Sequence, residues 1–233
     1  METLKEKLTN FSYEGNNVDD LTKKFAKLAP YFLYGGYICI HDRFIVYIRR
    51  IEFYFHCESD GGIKDDIVYH RNNPEIYPVG MDLPYFEPIS FHAHTSGIDI
   101  AFENKHYSFR ASALIRAYEI YDKENGKYLE VINGKWNYSD LPAKNSKSLY
   151  LYDIFNGFGN NKEIEWIDAP SIYLANHKEL ILDKRENVYL ISKPKVLKDG
   201  SVVPCKWDKP EYKEPRERKW SFERQEFIPI SII

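Results

Sequence analysis

Apolar residues recur at helical spacing over residues 18–29, VDDLTKKFAKLA, where Val18, Leu21, Phe25 and Leu28 share one face. Asn17 or Asp19 is placed to cap the start, and Pro30 to stop the helix. The period then changes. GGYICIHDRFIVYIRRIEFYFHCESDGG, residues 35–62, predicts a β-hairpin: Tyr37–Ile40, a turn at His41-Asp42-Arg43, and a long strand from Phe44 to about Cys57. Pro74, Pro78, Pro84 and Pro88 exclude regular elements from 63–90, and a connection of that length is a place for function or for a lid. Strands are expected at Gly97–Phe102 and Ser108–Tyr121, with Glu103-Asn104-Lys105 in the turn. Residues 147–156 read as a short helix ending at Gly157 and Gly159, and 171–174 and 187–193 as further strands. The chain from 205 to 233 is a Pro-rich, charged tail that packs on the rest or extends it. With no repeat and no low-complexity linker, one α+β domain over 1–233 is expected.

Composition narrows the partners. The net charge of −3 gives no global basic field, so contact with nucleic acid would need a local patch. The 19 Tyr and 14 Phe serve equally as β-formers in a core or as surfaces for flat ligands. Cys39, Cys57 and Cys205 are odd in number and form no C-x-x-C pair, which argues against a disulfide framework and for a reducing compartment. METLKEKLTN lacks an apolar signal core, and no apolar run approaches a membrane span. A cytoplasmic protein is expected, with no membrane partner.

The chemistry is suggested by charges inside apolar strands. In Ile51-Glu52-Phe53-Tyr54-Phe55, alternation puts Glu52 and Tyr54 on one face and the three apolar residues on the other. Glu52 either faces water or, if both faces are covered, is a buried acid that needs a partner and qualifies as a general base. Arg116 interrupts Ala113-Leu114-Ile115-Arg116-Ala117 in the same way, and opposite signs in two strands suggest a mutual pair. It serves either as a salt bridge alone or to position water or substrate. His70, in the long connection, is either an exposed imidazole or part of a site. His92 and His94 lie two apart, as metal ligands on one face of a strand do, and Asp99 adds an acid beyond Gly97.

Taken in order, these segments resemble the alkyladenine (3-methyladenine) DNA glycosylase family. Ile51-Glu52-Phe53-Tyr54 is similar to the family's T-E-A-Y, Asp66-Ile67-Val68-Tyr69-His70 to its D-x-x-x-H, and Leu114-Ile115-Arg116-Ala117-Tyr118-Glu119 to its L-L-R-A-x-E, over roughly residues 18–120. The resemblance implies a curved, mostly antiparallel sheet with flanking helices. It implies that Glu52 is the catalytic acid, that Arg116 holds the catalytic water, that Tyr54 stacks on a flipped base and that His70 contacts it. The family's Y-x-Y-x-x-Y-G hairpin is Phe91-His92-Ala93-His94-Thr95-Ser96-Gly97 here, so Ser96 stands at the intercalating tyrosine and Ala93 at a stacking one. A pocket stripped of aromatic walls gains room and polarity, and His94 and Asp99 are candidates for polar base recognition.

The expected activity is that of a monofunctional DNA glycosylase, a monomer needing no metal or other cofactor. Its partner is DNA carrying a bulky or polar modified base, including hypermodified foreign DNA, rather than an alkylated purine. Arg49, Arg50, Arg110, Lys144, Lys147, Arg216, Arg218 and Lys219 are candidates for gripping phosphates, with Trp220 for stacking. The rivals are a non-catalytic nucleic-acid-binding module, a metal-dependent hydrolase built on His92 and His94, and an enzyme acting on free nucleosides.

Overall fold

The computed structural model describes residues 2–68, 70–71, 78, 81–94, 97–146, 150–151, 164–169, 178–186, 195–203 and 213–226. The chain folds as α+β, with a curled antiparallel sheet and few helices.

Helix α1, Leu4–Thr9, starts with a reciprocal cap between Thr3 and Glu6 and buries Leu4 and Leu8. Helix α2 spans Val18–Tyr34 and is capped by Asn17, whose side chain accepts from the Asp19 and Asp20 N–H groups. Pro30 does not stop it, contrary to expectation. An interior proline costs about 3 kcal/mol, but Phe32 and Leu33 beyond it are completely buried, at about 1.5–3 kcal/mol each.

Strands β1 (Gly36–Ile40) and β2 (Phe44–Cys57) form the expected hairpin. Its turn puts His41 and Asp42 in the left-handed region, with φ of 57° and 54°. The pair β3 (Ser90–His94) and β4 (Gly97–Ala101) leads to β5 (Phe109–Asp122), and β6 (Lys127–Ile132) and β7 (Lys135–Ser139) form a further hairpin. Then follow β8 (Ile164–Asp168), β9 (Ile181–Asp183), the small hairpin β10–β11 (Lys195–Val196 and Val202–Val203), helix α3 (Lys213–Glu217) and β12 (Ser221–Glu223).

The long strands β2 and β5 pair along their whole length and serve two half-sheets. At one end the order is β7-β6-β5-β2-β1-β8; at the other it is β3-β4-β5-β2-β12-β9. The register shifts around Arg50, between the two halves.

One face of the sheet packs on α2. Ile51, Phe53, Phe55, Ile100 and Ile115 share a core with Leu21, Phe25 and Phe32. Phe25 stacks on Phe53 with ring centroids 4.4 Å apart, so much of the aromatic content is core.

Of the other expected elements, most of the helix at 147–156 and the strands at 171–174 and 187–193 lie outside the described residues, as do Ser96 and Lys147. No helix among the described residues is long and apolar enough to cross a membrane.

Candidate active site

The second face of the β3-β4-β5-β2-β12 half-sheet is polar. A row of cross-strand neighbours, His92, Asp99, Leu114, Glu52 and Ser221, crosses five strands. Beside it runs a second row, Ser90, Ala101, Ser112 and Tyr54. This follows from alternation: Ile51, Phe53, Phe55 and their partners take the core face, so the residues between them share the other.

Glu52 is completely buried and is a different case from an acid facing water. Its Oε1 accepts the Glu186 main-chain N–H at 2.5 Å, and its Oε2 accepts the Tyr54 hydroxyl at 3.1 Å. Arg116 Nε lies 3.7 Å from Glu52 Oε1, and its guanidinium is 3.8 Å from the Glu186 carboxylate. The opposite charges in two apolar strands therefore face each other. Arg116 Nε is buried and has no hydrogen-bond acceptor among the described residues.

A roof of later segments covers this cluster. Arg185, fully buried, pairs with Asp65 at 2.5 Å, donates to the Pro215 carbonyl at 2.6 Å and lies over the Tyr54 ring at 4.8 Å. Tyr54 packs with Val68 and Leu114 and is thereby enclosed. His56 accepts the Asp65 N–H at 3.1 Å, and burial pushes its imidazole pKa down.

Toward β3 the face opens into a cavity of about 110 Å³, walled by Val68, His70, Phe86, His92, His94 and Asp99 and floored near Ala101 and Ser112. His94 Nε2 is 3.0 Å from Asp99 Oδ2, and His92 Nε2 is 2.9 Å from Ser90 Oγ. Burial lowers the His92 pKa. Glu103 organises the wall. Its Oε1 meets His70 Nδ1 at 2.7 Å, and its Oε2 accepts from the Phe86 N–H and from Arg110, both at 2.9 Å.

The structure thus places the expected residues in two adjoining groups. Glu52, Arg116 and Tyr54 form a closed cluster. His70, His94 and Asp99 line the cavity, and Glu52 and Tyr54 do not. Asp99 and Glu52 are two strands apart, about 10 Å. Glu103, Phe86, Arg185 and Glu186 belong to these groups although nothing in the sequence marked them. Their partners lie far along the chain or in the Pro-rich connection.

The expected phosphate grip requires correction. Arg110 is fully buried and donates to the Leu83 and Pro84 carbonyls, Glu58 and Glu103, with Tyr85 against its guanidinium at 3.6 Å. Arg49 lies inside, bound to Glu119 at 3.0 Å and to the Gln225 carbonyl at 2.9 Å. Arg218 bonds Glu214 and the Lys64 carbonyl. Trp220 is enclosed, donating to Thr22 at 2.8 Å with its ring edge on Phe25. None of the four is free to stack on bases or hold phosphates: the tail folds back over Arg49, carries Arg218 and Trp220 inward and pairs with β2 through β12, while residues 83–85 enclose Arg110. Arg50 is ion-paired with Glu186 and Glu223, and Lys144 with Glu223. Arg216 is half-buried on α3, and Lys219 is exposed.

No group of three or more His, Cys, Asp and Glu side chains is arranged to hold a metal ion among the described residues. His92 and His94 point their imidazoles at different partners. Comparison of the chain with protein-family models, with curated proteins and with solved structures gives no match.

Proposed function

We propose that the chain is a monofunctional N-glycosylase that removes a modified base from DNA, acting as a monomer in the cytoplasm. The observation that carries this reading is the Glu52–Arg116 pair. A fully buried carboxylate faces a guanidinium whose Nε has no acceptor among the described residues, one strand away from a cavity walled by rings and polar groups. An oxygen of water between them receives a hydrogen bond from Arg116 and gives its proton to Glu52. That oxygen bonds to the sugar carbon as the carbon–nitrogen bond to the base breaks, and the base leaves with the bonding electrons. The carboxylate also offsets positive charge growing on the sugar. The cavity holds the flipped base.

Glu186 guards the approach, with its N–H on Glu52 and its carboxylate on Arg116. In this reading the 184–186 segment lifts to admit the sugar, and substrate phosphate takes the place of the Glu186 carboxylate at Arg50 and Arg116.

The test is a panel of duplex and single-stranded DNAs, each with a different modified base, scored for alkali-labile abasic sites. At least one is expected to lose its modified base. DNA binding with no abasic sites across the panel favours a non-catalytic binding module instead.

A further inference from the structure

His70 and His92 hold the Phe86 ring between them. The centroid distances are 3.8 and 3.6 Å, with planes 17° and 18° from parallel. Two near-parallel rings this close to a third must lie on its opposite faces, so the imidazoles frame a slot one ring thick. The backbone of residues 83–86 is fixed at this place by Arg110, through the Leu83 and Pro84 carbonyls, and by Glu103, through the Phe86 N–H.

The ring in the slot does not match the chemistry around it. Asp99 Oδ1 is buried with no hydrogen-bond partner among the described residues, while its Oδ2 is occupied by His94. Glu103 contributes a second carboxylate to the same cavity. A phenyl ring brings no donor to Asp99 Oδ1, and a buried acceptor without a donor is costly. A planar ring with an exocyclic amino group fills the slot equally well and supplies the donor. Among nucleobases cytosine, adenine and guanine types carry an exocyclic amino group, whereas thymine types carry none.

The geometry points to Phe86 as an internal stand-in for the ligand: the His70–His92 slot is the seat of an amino-bearing heteroaromatic base, which displaces Phe86 and donates to Asp99. That the ring belongs to a nucleobase rests on the base-excision reading above; the slot and its stand-in do not.

The test titrates the full chain with cytidine, adenosine, thymidine and N4,N4-dimethylcytidine, following heat and the NMR resonances of labelled Phe rings. Cytidine or adenosine is expected to shift the Phe86 ring. Phe86→Ala is expected to bind it at least about tenfold more tightly, because apparent affinity scales with the fraction of open slot. Phe86→Leu, which keeps bulk but not stacking, is expected to fall between. Asp99→Asn is expected to erase the preference for cytidine over its dimethylated form. Binding that leaves Phe86 unmoved, equal affinities in wild type and both Phe86 variants, or no binding by any form would overturn the inference. If nucleosides do not bind but abasic sites form, the slot fails and the excision reading stands. If nucleosides bind as expected but no DNA gains an abasic site, the slot stands and the excision reading fails.

Discussion

Arg110 and Glu52 show how differently two buried charges can be read. Glu52 and Arg116 were legible because each interrupts an apolar strand, and alternation places both on the face away from the core. Arg110 sits just as deep, but its four acceptors come from residues 58, 83, 84 and 103, which no periodicity connects. It therefore looked like a surface cation. Replacing it by Met leaves Glu58 and Glu103 without their shared cation and releases residues 83–86. Arg110→Met is expected to cost about 3–5 kcal/mol in urea unfolding and to abolish nucleoside binding in the slot. Unchanged stability would mean that the guanidinium does not anchor the connection. Glu119 is a related case: burial raises its pKa although it touches both Arg49 and Arg224, and burial lowers Arg224 to about 10.

At the scale of elements, the sequence predicted the hairpin β1–β2, the strands β4 and β5 and most of α2. These have strong periodicity and clear caps. It did not predict α1, which is too short for a periodic signal, or β6–β7, although the Asn133-Gly134 turn between them is a strong hairpin signal. The largest departure is the tail. Arg218, Lys219 and Trp220 were expected to hold DNA from a charged tail that packs on the rest or extends it. Instead α3 and β12 close the sheet beside β2, and the guanidiniums of Arg185 and Arg218 flank the Trp220 ring at 5.0 and 4.8 Å. The ring is part of the core and at the same time the support of the roof over Glu52. Trp220→Ala is expected to cost about 3–5 kcal/mol and to expose Glu52 to solvent. A thermal midpoint within a degree of wild type would show that the tail is dispensable to the fold.

For the whole molecule, one sheet is divided between two tasks. One face is apolar and carries α1 and α2; the other, at the β3–β12 end, gathers carboxylates, imidazoles and guanidiniums beneath later segments. Such a site should make stability depend on pH. Burial holds His56 and His92 below 6.5, so the unfolded chain takes up their protons first. Stability is expected to be full above 6.5, to fall as pH drops below it, and to level off once the folded-state values are passed. A second loss is expected at lower pH. Burial alone would raise Asp122, but hydrogen bonds from Arg43, Asn125 and Tyr138 outweigh it and hold the carboxyl at about 2. Its contribution is present above 3.8 and disappears as pH falls toward 2. Urea midpoints measured from pH 8 to 2 check both stages, and His56→Gln should flatten the first. A flat profile between pH 7 and 5 would be inconsistent with neutral, enclosed imidazoles.

In the proposed reaction Glu52 activates water rather than merely neutralising Arg116. Single-turnover abasic-site formation decides it, measured on the best DNA from the panel with wild type and Glu52→Gln at matched, saturating binding. Loss of about 10²–10⁴-fold in rate with DNA affinity retained is the predicted result. An undiminished rate in the variant would contradict it and leave the pair as a buried salt bridge.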